Sequence, residues 1–277
     1  MRILTDWSLS ARRRVTGVFT DIDDTLTTGG AITPDALAAL AALKAAGLTV
    51  IAITGRPVGW SLPFASAWPL DAIVAENGAV LLHFQHQIGV PSRRSLPSVL
   101  LKTYFEDPAT RRASAARLAH AAARVLREVP YARLAQDSSG RETDIAIDHS
   151  ELAYLSPAQV DAVVHVLHSE GLHATVSSIH INGWLGTYNK LTGAHWAVQT
   201  LLGRTLALEM DRWLFVGDST NDQLMFEAFD NSVGVANVRH FEAPLAALKR
   251  LPRYITHGER GAGFAQAVRA LLAERQG

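Results

Sequence analysis

The sequence predicts an α/β fold in which a doubly wound parallel sheet is interrupted by an α+β insert. Strand-like and helix-like segments alternate over residues 1–82, which is typical of a parallel sheet with helices on both faces. Between residues 83 and 186 this alternation gives way to long helices and short strands. It returns over residues 187–277, so we expect two stretches of one core on either side of an inserted unit.

Each element of the first stretch is bounded by residues that start or stop secondary structure. The apolar run at residues 15–20 predicts a buried parallel strand. Thr33 is a good helix N-cap, Pro34 suits the first helical position, and Gly47 is a helix stop, so a helix is expected between them. Two more buried strands are predicted, at residues 48–53 and 72–75.

The insert and the second stretch of core follow different patterns. In the insert, helices are predicted at residues 96–129 and from Ser156 to Gly171, with strands at 132–135, 143–147, 173–177 and 179–182. In the second stretch, a strand is predicted at 213–216, a helix at 221–229, a strand at 232–235 and a final helix introduced by Gly261, Ala262 and Gly263.

Composition excludes several classes of function. The 26 basic and 26 acidic residues cancel, which removes the electrostatic argument for a nucleic-acid or anionic-membrane partner. The absence of cysteine excludes disulfides, thiolate zinc sites and thiol nucleophiles. No apolar run approaches the ~18 residues of a membrane span, and the N-terminus lacks the pattern of a secretory signal. A soluble, cytoplasmic protein is therefore expected.

Two aspartates, Asp21 and Asp23, directly follow the first buried strand. Two carboxylates this close are costly unless a cation lies between them or one is protonated, so they indicate a metal site, a proton-sharing pair, or both. Ligands of open α/β sheets bind at the carboxyl ends of strands. Other predicted strand ends and their neighbours add further polar residues: Thr54, Arg56, Lys190, Asp218, Asn221 and Asp222. An oxygen-rich set suits Mg²⁺, and a hydroxyl with an ammonium suits a transferring phosphoryl group.

The same residues form motifs that resemble those of the haloacid dehalogenase superfamily, especially its type IIB sugar phosphatases. The motifs are Asp21-Ile22-Asp23-Asp24-Thr25, Ile53-Thr54-Gly55-Arg56, Lys190 and Gly217-Asp218-Ser219-Thr220-Asn221-Asp222. The run Glu76-Asn77-Gly78-Ala79 is also similar to one common in that subfamily. The insert lies between the second and third motifs, where the type II cap of the superfamily is placed. The resemblance therefore implies a Rossmann-like core with an α+β cap.

The resemblance also implies a role for each carboxylate. Asp21 would attack phosphorus to give an aspartyl-phosphate, and Asp23 would protonate the leaving alkoxide and then activate water. Mg²⁺ would be held by Asp21, Asp218 and the main-chain carbonyl of Asp23. Asp24 departs from the commonest pattern, because many relatives have glycine at this position. The change adds a negative charge near the site.

Other residues would bind phosphate or orient the site. By the same resemblance, Thr54, Gly55 and Lys190 would bind the phosphoryl oxygens, and Asn221 and Asp222 would orient the metal ligands and Lys190. Contacts to the rest of the substrate are expected from Arg56, Asn77, His180 and Asn182.

In the cap, strand alternation places His180 and Asn182 on one face. Whether this polar pair faces a sugar or has a structural role stays open. Arg141, Glu142 and Asp144 form a second polar cluster with the same two readings. Trp60 is placed to stack on a sugar ring, although a large aromatic there is more often part of a core.

The function these patterns favour is Mg²⁺-dependent hydrolysis of a small phosphomonoester, with a sugar phosphate as the expected substrate. Two alternatives remain open at this stage. A phosphomutase of the same subfamily would pass the phosphoryl group to another sugar hydroxyl, and its first half-reaction needs the same residues. A non-catalytic binding module on the same core is the other alternative, and intact Asp21, Asp23, Lys190 and Asp218 argue against it.

Overall fold

The computed structural model describes residues 1–84 and 99–273. Its first stretch of core contains these elements: β1 (Arg2–Ile3), α1 (Leu9–Arg14), β2 (Gly17–Thr20), β3 (Thr27–Thr28), β4 (Ala31–Ile32), α2 (Pro34–Ala45), β5 (Thr49–Ile53), α3 (Val58–Ala67), β6 (Ala72–Ala75), β7 (Val80–Phe84) and β8 (Leu100–Tyr104). The insert contains α4 (Pro108–Glu128), β9 (Arg133–Leu134), β10 (Asp144–Asp148), α5 (Pro157–Ser169), β11 (His173–Val176) and β12 (His180–Trp184). The second stretch of core contains α6 (Lys190–Leu202), β13 (Trp213–Gly217), α7 (Gln223–Ala228), β14 (Asn231–Gly234), α8 (Glu242–Ala247), β15 (Tyr254–Ile255) and α9 (Arg260–Leu272).

Nine of the described strands form one sheet in the order β1-β15-β14-β13-β2-β5-β6-β7-β8. The strands from β1 to β6 in this order are all parallel, and β7 and β8 extend the sheet as antiparallel strands. The central strand β2 pairs with β13 on one side and β5 on the other. Since parallel strands end at the same edge, the segments after β2, β5 and β13 meet there. The predicted α/β class and parallel core are confirmed.

The helix capping signals explain where α2 begins. The Thr33 side chain accepts a hydrogen bond from the backbone N–H of Ala36, and Pro34 is the first helical residue. The helix is followed by Gly47 in the left-handed region, at φ +75°. Apolar residues of the helices pack on both faces of the sheet, which is the arrangement that a doubly wound sheet requires.

The insert forms a smaller layer of its own. Its strands make a four-stranded sheet in the order β11-β12-β10-β9, in which the neighbouring strands are antiparallel. One face of this sheet packs on α4 and α5 through apolar residues that include Ile147, Val163 and Ile181. The opposite face carries His180 and Asn182, as strand alternation predicts.

The prediction of a long helix at residues 96–129 is wrong over its first part. Residues 96–98 lie outside the described residues, and Leu100–Tyr104 form β8, which pairs with β7. The helix starts only at Pro108, because the Asp107 side chain accepts hydrogen bonds from the backbone N–H groups of Ala109 and Thr110. The segment forms a strand because it pairs with β7, and this tertiary contact outweighs the local periodicity that predicts a helix.

The domain boundary predicted at residue 83 falls within β7. Both β7 and β8 belong to the large sheet, so we propose that the insert begins after Tyr104 rather than at residue 83. Among the residues that the structure describes, no helix has the length and apolar character needed to cross a membrane.

Candidate active site

The carboxyl ends of β2 and β13 place two aspartates side by side. Asp21 follows β2, and its backbone N–H donates to the carbonyl of Val216 in β13 at 2.9 Å. Asp218 follows β13 directly and is fully buried. The register between these two strands therefore brings together residues that are almost two hundred positions apart in the chain.

Lys190 reaches both aspartate motifs from α6. It is the first residue of that helix, which Asn189 caps by accepting from the backbone N–H groups of Leu191 and Thr192. Its ammonium is buried and donates to Asp21 Oδ1 and Asp222 Oδ1, each at 2.7 Å. These carboxylates raise the pKa of Lys190 more than burial lowers it, so the side chain stays charged.

Asp222 uses both of its carboxylate oxygens within the protein. Oδ1 accepts from Lys190, and Oδ2 accepts from the backbone N–H groups of Asp218 and Ser219 at 2.9 and 3.3 Å. Asp222 therefore orients its neighbours. Asn221, which was also predicted to orient the metal ligands, lies on the same short turn. Its Oδ1 accepts a hydrogen bond from Ser219 Oγ at 2.8 Å.

Asp218 has weaker partners. Its oxygens accept from Thr25 Oγ1 at 3.4 Å and from Asn237 Nδ2 at 3.2 Å, both neutral donors. Burial raises the pKa of Asp218 well above its usual range, and the neighbouring charges of Asp21 and Asp222 raise it further. Its ionised form needs a cation that these neutral donors do not supply.

Asp21, Asp218 and Asp222 offer oxygens that all lie within 4.8 Å of one another. The buried ammonium of Lys190 pairs with two of these three buried carboxylates, and the remaining negative charge fits a divalent cation. Burial raises the pKa of Asp21 to about 7 although Lys190 opposes this, and Asp222 and Asp23 add to the rise. An all-oxygen donor set suits Mg²⁺.

Asp23 pairs with Arg56 rather than with Lys190. Its carboxylate accepts from Arg56 Nε at 2.9 Å (Oδ1) and 3.1 Å (Oδ2), and both side chains are largely buried. Burial raises the pKa of Asp23, while Arg56 lowers it. The structure therefore separates the two predicted catalytic aspartates: Asp21 faces Lys190, and Asp23 faces Arg56.

Thr54 and Gly55 follow β5, beside the aspartates. Thr54 is fully buried, and its Oγ1 accepts from the backbone N–H of Arg56 at 3.0 Å. A Cβ at Gly55 would lie 3.1 Å from Asn182 Oδ1 and 3.2 Å from Asn77 Oδ1, so a larger residue would push these amides aside. Glycine is needed here because the insert approaches the backbone closely.

The amides of Asn77 and Asn182 meet at one carboxylate. Asn77 Nδ2 and Asn182 Nδ2 donate to Asp144 Oδ2 at 3.3 and 3.1 Å. Arg141 donates to the same carboxylate and to the carbonyl of Gly55 at 2.9 Å. Burial raises the pKa of Asp144 to about 7 despite the Arg141 charge. Asn182 of one predicted polar cluster thus joins Arg141 and Asp144 of the other in a network between insert and core, whereas the Glu142 carboxylate accepts from Lys102 and Tyr104.

His180 and Trp60 lie beside Arg56. His180 is buried, and its Nε2 is 3.0 Å from Glu151 Oε2. The Trp60 ring lies 5.0 Å from the Arg56 guanidinium carbon and packs against Phe64. Trp60 therefore belongs mainly to an aromatic cluster on α3.

Comparison with known proteins finds a similar family over part of the chain. Residues 18–126 match the family model described as haloacid dehalogenase-like hydrolase, a span that contains Asp21, Asp23 and Thr54. The match covers residues 18–126 of the 277-residue chain, and over that span the chain is similar to haloacid dehalogenase-like hydrolases. A search of curated proteins finds no significant match.

Solved structures share the whole architecture, including the insert, which is henceforth called the cap. A protein from Thermoplasma acidophilum is 17% identical and covers 93% of this chain and 98% of its own, with a TM-score of 0.67. Sucrose-phosphatase from Synechocystis, solved in complex with sucrose and phosphate, is 16% identical, with coverages of 94% and 97% and a TM-score of 0.62. A subclass IIB sugar phosphatase of the superfamily is 14% identical, with coverages of 92% and 98% and a TM-score of 0.59.

Asp24, the residue after Asp23, pairs with Arg260. Its backbone has φ +52°, a conformation that glycine adopts more readily, and its carboxylate lies 3.0 Å from Arg260 Nε. The Asp24 carbonyl accepts from Asn237 Nδ2, which also donates to Asp218. Asn237 thus joins the loop after Asp23 to Asp218.

Four functional candidates escaped the sequence analysis: Glu76, Asp137, Glu151 and Asn237. Glu76 lies within the run Glu76-Asn77-Gly78-Ala79 and has no predicted role of its own, yet it is fully buried and accepts hydrogen bonds from the cap. No motif marks Asp137 or Glu151, which approach Arg56 only through folding of the cap. Asn237 follows β14 at the same sheet edge as the aspartates, and a polar residue soon after a predicted strand could have marked it as a candidate site residue.

Proposed function

We propose that this protein is a Mg²⁺-dependent hydrolase of a small phosphomonoester, acting through an aspartyl-phosphate on Asp21. The observation that carries the proposal is the pair of Lys190 contacts. Lys190 neutralises part of the charge on Asp21 and Asp222, while Asp218 has only neutral donors. A nucleophile, a phosphate-binding cation and a place for a divalent ion therefore occupy one buried pocket.

In the first half-reaction, a carboxylate oxygen of Asp21 attacks phosphorus, and the bond from phosphorus to the leaving oxygen breaks. Lys190 fixes the Asp21 carboxylate through Oδ1, which leaves Oδ2 for the attack. Asp23 gives a proton to the departing alkoxide. Thr54, Gly55 and Lys190 are the proposed contacts to the phosphoryl oxygens.

In the second half-reaction, water attacks the phosphorus of the aspartyl-phosphate and Asp23 accepts its proton. The Asp21–phosphorus bond breaks, and inorganic phosphate leaves with Asp21 regenerated. Asp23 thus returns to the protonated state in which it began.

Asp21, Asp218 and the main-chain carbonyl of Asp23 would hold Mg²⁺, with Asp222 and Asn221 orienting them. When bound, the ion offsets the negative charge that otherwise repels nucleophile and phosphate. The cluster of carboxylates that the structure brings together also contains Asp222. Because both Asp222 oxygens already accept hydrogen bonds, we assign Asp222 to orientation.

The cap favours a small substrate. A cavity of about 330 Å³ is lined by Asp23, Arg56, Glu151 and Arg260, and another of about 400 Å³ is lined by Lys190, Asn77 and Thr175. Both volumes suit small-molecule ligands, for which ~300–1,000 Å³ is typical. A phosphorylated sugar is the proposed substrate class, supported by the sucrose and phosphate bound to the similar Synechocystis enzyme.

The deciding experiment is phosphate release from a panel of phosphorylated sugars, sugar acids, polyols and nucleotides, with and without Mg²⁺. Asp21→Asn protein is the blank, and Asp230→Asn is the matched control, since Asp230 is exposed and pairs with Arg253 at 2.7 Å on the surface. Mg²⁺-dependent release that Asp21→Asn abolishes and Asp230→Asn retains is expected. If no compound releases phosphate but a sugar phosphate is isomerised, the enzyme is a mutase. No change in any compound would favour a binding module.

A further inference from the structure

Arg56 binds three carboxylates through its guanidinium. Its guanidinium is almost fully buried, and each of its three nitrogens donates to a different acidic residue. Nε donates to Asp23 at 2.9 Å, Nη1 to Asp137 at 3.0 Å and Nη2 to Glu151 at 3.1 Å. The carboxylates raise the pKa of Arg56 above its already high usual value.

These partners belong to two different parts of the molecule. Asp23 lies in the core, on the loop after β2, whereas Asp137 and Glu151 flank β10 in the cap. Glu151 is held in turn by His180 of β12, at 3.0 Å. One guanidinium therefore joins the proposed proton donor to two cap segments.

Besides the Arg141–Gly55 and Asn77–Asp144 contacts described above, further cap–core contacts lie elsewhere. Glu76 accepts from the backbone N–H groups of Glu142 and Thr143, and the Tyr188 hydroxyl donates to the carbonyl of Thr143 at 2.9 Å. Tyr188 lies just after the last cap strand, so these contacts tie the cap close to the point where the chain leaves it. They do not reach Asp23.

We propose that Arg56 is a positioning residue that holds Asp23 in place for proton transfer only when the cap is closed, with Asp137 and Glu151 as its cap anchors. Here Arg56, Glu151 and His180 act in closure, in contrast to the direct substrate contacts that the sequence suggested for Arg56 and His180. This proposal rests on the proposed function for the role of Asp23, but the docking of the cap on Arg56 does not.

The docking is tested without any activity measurement, by hydrogen–deuterium exchange. Arg56→Gln and the double variant Asp137→Asn/Glu151→Gln are compared with wild type and with Arg124→Gln, which loses ion pairs made only within the cap. We expect exchange at residues 137–151 and 177–184 to rise by about 10-fold in the first two variants and to stay unchanged in the control. Unchanged exchange in both would overturn the proposal whatever the protein hydrolyses.

The link to Asp23 is tested by comparing two leaving groups. A sugar phosphate leaves as an alkoxide that needs a proton, whereas p-nitrophenyl phosphate leaves as a stable phenolate that does not. The double variant keeps Arg56 and Asp23 intact, which guards against misfolding around an unpaired charge. We expect its kcat/KM to fall by about 100-fold for the sugar phosphate and by less than about threefold for p-nitrophenyl phosphate.

Equal losses for the two compounds would indicate a structural effect and would overturn the positioning role. Failure of the proposed function looks different, because wild-type protein would then release no phosphate from either compound. In that case the exchange measurement still decides whether the cap docks on Arg56.

Discussion

Glu76 of the core and Thr143 of the cap are joined by two hydrogen bonds to a single carboxylate oxygen. The backbone N–H of Thr143 donates to Glu76 Oε2 at 2.6 Å, and the Thr143 hydroxyl donates to the same atom. Glu76 Oε1 accepts from the backbone N–H groups of Val58 and Glu142 at 3.1 and 3.0 Å. A fully buried carboxylate with four donors is satisfied only while the cap is folded against the core.

Glu76→Gln should therefore destabilise the protein. A glutamine offers one acceptor oxygen and turns an NH₂ group toward donors, which leaves buried N–H groups unpaired. We expect a loss of about 2–4 kcal/mol in the free energy of unfolding, measured by urea denaturation. Glu227→Gln is the matched control, because Glu227 is exposed and pairs with Arg250 only at the surface. A change within about 0.5 kcal/mol is expected there. Similar losses in both variants would contradict the role of Glu76.

The backbone at Asp24 makes a separate prediction. Asp24→Gly and Asp24→Ala both remove the ion pair with Arg260, but only glycine relieves the strain at φ +52°. We expect the glycine variant to be more stable than the alanine variant by about 1 kcal/mol, measured by urea denaturation. An alanine variant as stable as the glycine variant would show that the left-handed backbone is not retained.

The lowered pKa of Glu151 leads us to expect that the free energy of unfolding depends on pH. The hydrogen bond with His180 lowers the pKa of Glu151 from its ordinary value of 4.5 to about 2, and the Arg56 charge adds to this. A lowered carboxyl pKa means that the folded state binds fewer protons than the unfolded state. The stabilisation is therefore full above about pH 5 and is lost as the pH falls through 4.5 toward 2.

This dependence is measured by urea unfolding of wild type and Glu151→Gln at several pH values from 7 down to the lowest at which both fold. The stability difference between them should be constant near neutrality and shrink as the solution becomes acidic. A difference independent of pH would mean that Glu151 is not held as a carboxylate by His180 and Arg56.

The carboxylate cluster predicts metal binding that needs no turnover to detect. Titration with Mg²⁺ should raise the melting temperature of wild type, since a ligand that binds only the folded state stabilises it. Asp218→Asn removes one of the buried charges that attract the ion, so the rise should require far more Mg²⁺. Asp230→Asn should behave as wild type, because Asp230 is exposed and pairs with Arg253 rather than with a residue of the carboxylate cluster. An unaltered response in Asp218→Asn would place the ion elsewhere.

Much of the core could be predicted from the sequence because its signals are local. Thr33, Pro34 and Gly47 mark the ends of α2 by capping and backbone geometry alone. The apolar runs behind Asp21 and Asp218 indicate buried parallel strands for the same reason. By contrast, β8 was predicted as helix, because its pairing with β7 is a contact that local periodicity does not encode.

The sequence alone determined the fold class, the family resemblance and the set of polar residues at the strand ends, because each depends on residue type and short spacing. Only the tertiary structure decided which of them meet. It paired Asp21 with Lys190 and Asp23 with Arg56, and it brought Asp137 and Glu151 of the cap to the same guanidinium. These contacts join residues far apart in the chain, and their geometry depends on sheet register and on how the cap lies on the core, which no local pattern specifies.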